Sequence, residues 1–151
     1  MFLKVAGVTG EAVDADHKGE IEVVSWSWGG RASGTTVGRA TGRAAWSELT
    51  VIKRVDAATP TLMHYLHTNR VVPTVLLTVR KAGTTPLEYF RIELGRVRIL
   101  ALTTASAQAE LTEHLELGFQ SAEVTYTPQQ SGTGARGGGG VLFATGDLAG
   151  Q

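Results

Sequence analysis

Nearly every apolar segment of this 151-residue chain alternates with a period of two and stops at Gly, Thr or Pro. That period sends successive side chains to opposite faces of an extended backbone, so the chain must fold mainly as strands. Phe2 to Val8 reads as a short first strand, and the polar stretch Val8 to Gly19 as a loop. Gly19 to Trp28 is the clearest strand: strict alternation puts Ile21, Val23, Ser25 and Ser27 on one face and Glu22, Val24, Trp26 and Trp28 on the other. Two indoles on one face bury large areas, worth a few kcal/mol each at roughly 25 cal/mol per Å². Further strands are predicted over Trp46 to Val55, Thr74 to Lys81, Leu87 to Leu94, Val97 to Thr104, Leu111 to Phe119, Ala122 to Thr127 and Val141 to Ala144.

One segment breaks the pattern. Leu62, Met63, Tyr65 and Leu66 recur at helical spacing, Thr59 can cap, and Pro60 suits a first helical turn. Asn69 and the pair Val72-Pro73 end this helix. Eight or nine strands and one helix fit a single mostly-β domain over residues 1–151, built as a β-barrel or a tight sandwich. Two Gly-rich stretches interrupt it. Residues 29–45 form an extended loop with Arg31, Arg39 and Arg43 and no acid, and residues 129–140 form a flexible turn.

Composition removes several classes of function. Lys+Arg and Asp+Glu are equal at 14 each, which argues against a nucleic-acid or anionic-membrane partner, since either needs a basic surface. The same balance removes the self-repulsion that keeps copies of a chain apart. With no cysteine, the chain has no disulfide, thiolate metal site or cysteine nucleophile. No apolar run reaches the roughly 20 residues of a membrane helix, and the first residues lack the basic start and long apolar core of a secretory signal.

No catalytic, metal or cofactor site is legible. The run Gly134 to Gly140 lacks the Gly-Lys-Ser/Thr ending of a phosphate loop. His64 and His67 share a helix face, yet a metal needs further ligands. Glu110, Glu113, His114 and Glu116 cluster in one strand, where alternation puts His114 and Glu116 on one face and Glu113 on the other with Leu111, Leu115, Leu117 and Phe119; a carboxylate beside His114 could do acid–base work, and the polar outer face of a barrel strand explains them more simply. Trp26, Trp28 and Trp46 could form a platform for a small ligand or carbohydrate, with core packing as the plainer reading of the strand pair. The arginines of the 29–45 loop suit bidentate contacts at an interface.

Glu20-Ile21-Glu22-Val23-Val24-Ser25-Trp26-Ser27-Trp28-Gly29 resembles the strand IDVLSWSWG of the Hcp (haemolysin-coregulated protein) family. Other blocks follow in the family's order: Phe2 to Val5 with Gly7 to Glu11, Thr59 to Met63, Leu77 to Gly83 with Leu87 to Phe90, Leu111 to Glu113 with Leu115 and Leu117, and Val124 to Gln129. The family's Gly-Trp-Asp-Ile-like ending is replaced here by Phe143 to Leu148, without the tryptophan.

The resemblance implies a tail-tube-like β-barrel of two packed antiparallel sheets with one flanking α-helix, and no enzymatic activity. It implies a tube subunit of the type VI secretion system, closing into homohexameric rings that stack. The implied partners are other copies of itself, a contractile sheath, a spike protein and effector proteins in the lumen. Such a protein is made in the cytoplasm and secreted without a signal peptide. Trp26 and Trp28 are then family-motif core. Gly29, Gly30, Arg31, Ser33, Thr35, Thr36, Arg39 and Arg43 are the expected ring-stacking contacts.

Overall fold

The computed structural model describes residues 1–32, 44–83 and 86–128, together with the backbone of 139–144. In chain order the elements are β1 (Phe2–Val5), β2 (Ile21–Ser27), β3 (Gly30–Arg31), β4 (Ala45–Trp46), β5 (Leu49–Arg54), α1 (Thr59–His67), β6 (Val72–Lys81), β7 (Leu87–Ala107), β8 (Glu110–Gly118), β9 (Ser121–Tyr126) and β10 (Gly139–Ala144). Six of the strands close a mostly-β antiparallel barrel in the order β7-β6-β1-β2-β5-β8, with β8 returning to β7.

Closure depends on the length of β7. The two strands predicted over Leu87–Leu94 and Val97–Thr104 are one strand of 21 residues. Its first half pairs with β6 through Val72↔Val97 to Lys81↔Leu87, and its second half with β8 through Arg98↔Gly118 to Ala107↔Glu110. Between the halves Arg96 takes a positive φ of 52°, in the Gly95–Arg96 gap between the two predicted strands. The other edge of Phe90–Gly95 carries β9, and β10 pairs outside β9.

Inside the barrel, cross-strand rows such as Leu3↔Leu77↔Ile92 and Val51↔Leu115 bring fully buried aliphatic side chains together. Burying them supplies the main driving force for closure. The alternation predicted for β2 fails halfway. A bulge between Val23 and Ser25 inserts one residue, leaving Val24 and Ser25 both outward. Beyond it Trp26 turns to the same side as Ile21 and Val23 and packs on the core.

Helix α1 buries Leu62 and Tyr65 and leaves His64 and His67 exposed. Ala58, not Thr59, is its N-cap. Asp56 serves the helix start instead, its Oδ1 accepting the Ala58 N–H at 3.0 Å. At the far end Asn69 takes the left-handed conformation (φ 52°). The Arg70 N–H then reaches the Tyr65 carbonyl and the Asn69 N–H the Leu66 carbonyl, a Schellman ending.

Candidate assembly surface

The stretch 29–45, read from sequence as a loop throughout, begins and ends in structure. Gly30 pairs with Trp46 and Arg31 with Ala45, forming the short stem β3–β4. Ser47 locks its base: its N–H donates to the Gly29 carbonyl at 2.8 Å, its carbonyl accepts the Trp28 Nε1–H at 3.0 Å, and its Oγ accepts the Gly29 N–H at 3.2 Å. Trp28 stacks on Trp46 with centroids 4.8 Å apart and meets Phe119 edge-on at 5.8 Å. A Cβ on Gly30 would stand 2.9 Å from the Trp46 ring, so only glycine lets that indole lie against the stem.

Gly29, Gly30 and Arg31 are exposed at this stem. Ser33, Thr35, Thr36, Arg39 and Arg43, like the 129–138 part of the predicted Gly-rich turn, lie outside the described residues. Trp26 stacks on Phe90 at 5.6 Å. The indoles of the Ser25-Trp26-Ser27-Trp28 segment are therefore engaged in packing, with Trp46 completing the stack at the stem. An open cleft of about 340 Å³ is lined by Glu11, Glu22, Arg54 and Asp56, away from all three tryptophans.

The acid–base cluster predicted in β8 is taken apart by the pleat. His114 and Glu116 are exposed, whereas Glu113 is wholly buried among core residues and is no part of a polar outer face. Its partner is Lys53, equally buried and directly across the β5–β8 pair, with Nζ 2.6 Å from Glu113 Oε2. Lys53 also donates to the Arg54 carbonyl at 2.8 Å and lies 2.9 Å from Asp56 Oδ1. The Thr59 hydroxyl donates to Glu113 Oε2 at 2.9 Å. This network ties the start of α1 to the barrel wall with its polar atoms satisfied, which is structural chemistry. Sequence reasoning missed it because Lys53 and Glu113 lie 60 residues apart; the one signal was a charged residue at an inward position of each strand. Among the described residues no group of three or more His, Asp or Glu side chains could hold a metal ion.

A second polar cluster lies on the outside. Phe2, next to the core residue Leu3, is covered by His17, whose ring stacks on it at 4.3 Å. The Arg80 guanidinium lies over the same phenyl ring at 5.3 Å and pairs with Asp14 through both nitrogens. That pairing holds the Asp14 carboxyl below the usual carboxylate range and raises Arg80 further.

The family model described as "Type VI secretion system effector, Hcp" matches residues 2–126. "Protein hcp1" of Pseudomonas aeruginosa strain PAO1 is 36% identical over 149 residues, covering 95% of this chain and 91% of that protein. The crystal structure of a type VI secretion system effector from Yersinia pestis superposes with a TM-score of 0.80 at 27% identity, over 95% of this chain and 98% of that one. Hcp1 from Salmonella typhimurium gives 0.80 at 26% identity, over 95% and 92%.

Proposed function

The chain belongs to the Hcp family of the type VI secretion system, and from that premise we propose that it is the subunit of stacked hexameric rings forming the expelled inner tube. The family's proteins are secreted tube proteins and not enzymes. The observation that carries the reading is the run of the family match over residues 2–126, which spans β1 to β9 and takes in all six strands of the closed barrel.

In this reading residues 1–151 act as one domain and protomers contact one another sideways through a head-to-tail interface that closes. The β3–β4 stem presents the 29–45 segment to the next ring, with Gly29, Gly30, Arg31, Ser33, Thr35, Thr36, Arg39 and Arg43 as stacking contacts. The stem supports this assignment because its packed aromatic base fixes the two ends between which residues 33–43 run. The sheath surrounds the tube, the spike protein caps it, and effector proteins ride in the lumen.

Light scattering and negative-stain imaging of the purified protein at tens of micromolar test the proposal. The expected result is annular particles of six times the 16.0 kDa chain mass. A purely monomeric species overturns it.

A further inference from the structure

The segment from Gly10 to Glu20 is a folded strap and not a free loop. The Gly10 N–H donates to the Gly19 carbonyl at 2.7 Å, Gly19 N–H to Ala12 at 2.8 Å, Ala12 N–H to Glu20 at 3.0 Å and Glu20 N–H to His17 at 3.0 Å. A Cβ on Gly10 would fall 2.4 Å from the Glu20 carbonyl oxygen, so the two arms of the strap touch backbone to backbone. The strap is held on the barrel by the Asp14–Arg80 pair and by its tip, where His17 is 5% exposed over Phe2.

Both ring nitrogens of His17 face carboxylates. Nδ1 is 2.9 Å from Glu20 Oε2, within the strap, and Nε2 is 3.0 Å from Glu88 Oε1, on β7. The first is a hydrogen bond; the second is a close charge contact without hydrogen-bond alignment. A neutral imidazole has a single N–H and must set a lone pair against one of these carboxylates. Only the doubly protonated ring is attracted to both. The remaining charges around it are settled. Asp14 pairs with Arg80 from β6, and Asp16 reaches the same guanidinium at 3.7 Å. Lys18 is exposed, and Glu22, opposite Phe2 on β2, adds a further negative charge. This neighbourhood is net acidic.

We infer that the Gly10–Glu20 segment is a pH-responsive strap, pinned across Phe2 while His17 carries both ring protons and released when it loses one. Its fixed half is the Asp14–Arg80 pair, in which each partner favours the other's charged form. Release uncovers the Phe2 ring and frees Glu88 at the barrel surface.

Amide hydrogen exchange, followed by NMR between about pH 5 and 9 together with the His17 ring nitrogens, tests this. Protection factors of Gly10, Ala12, Gly19 and Glu20 are expected to fall about tenfold or more above the His17 titration midpoint, with Leu77 and Ile92 unchanged. Strap protection that is flat across that midpoint overturns the inference. In His17→Gln the strap amides are expected to be weakly protected at every pH. A His17→Gln strap that still loosens with rising pH would assign the response to another group and overturn it equally.

Discussion

Lys53 Nζ lies 2.6 Å from Glu113 Oε2, and the two side chains, paired across β5 and β8, are wholly buried. Removing Lys53 strands the Glu113 carboxylate in the core, where water cannot reach it, whereas removing Glu113 leaves Lys53 paired with Asp56. Lys53→Ala is expected to lower unfolding free energy by about 3–5 kcal/mol, and Glu113→Ala by less. The double substitution Lys53→Met with Glu113→Leu is expected to recover most of that loss, because packing replaces charge. Denaturant midpoints of the three variants check this; a double variant no better than the worse single one contradicts it.

The turn joining β7 to β8 is made of Gln108 and Ala109, both at positive φ (49° and 66°). Two-residue turns with positive φ at both positions favour Asn-Gly, and side chains with a Cβ are strained there. Gln108→Asn with Ala109→Gly is expected to raise stability by about 1 kcal/mol. Thermal unfolding reads the gain, and an unchanged or lowered midpoint refutes it.

Gly30→Ala drives a methyl group into the Trp46 ring at the base of the stem. The barrel is expected to survive with a loss of about 1 kcal/mol. The Trp28–Trp46 stack should open, altering near-ultraviolet circular dichroism and indole fluorescence. If the stem orients the ring-stacking segment, tubes weaken while single rings persist in light scattering. Replacing residues 33–43 by a short turn is expected to spare the barrel and abolish stacking altogether; loss of folding in that variant shows the segment to be a packed element.

Asp14 contributes through its ionised form, because Arg80 lowers its folded-state value relative to the unfolded chain. That contribution is fully present above the unfolded carboxylate value and disappears as pH falls through the lowered one. Asp14→Asn is therefore expected to be less stable than the native chain at neutral pH and to converge on it in acid. Parallel stability curves for the two proteins rule this out.

Asn69 is the residue that reverses the chain after α1. Asn69→Gly should fold at least as stably, and Asn69→Ala should lose about 1 kcal/mol, since a Cβ without a compensating amide is disfavoured at φ 52°. Helix-end amide exchange at Arg70, whose N–H bonds to Tyr65, reports the fraying directly.

Local patterns determined much of this protein. Period-two alternation identified most barrel strands, Pro60 and the apolar spacing located α1, and Asn69 marked its end, because each depends on neighbours within a few residues. The blocks around Trp26 and Trp28 pointed to the family for the same reason: they survive as contiguous text. Tertiary structure alone decided the rest. The bulge at Val24 turned Trp26 inward, a one-residue slip that strict alternation cannot register. Long-range partners merged two predicted strands into β7, set Lys53 against Glu113, paired Gly30 with Trp46, and set His17 between Glu20 and Glu88. In each case the deciding energy comes from groups that the fold makes adjacent, and the order of residues along the chain does not encode which distant face will meet which.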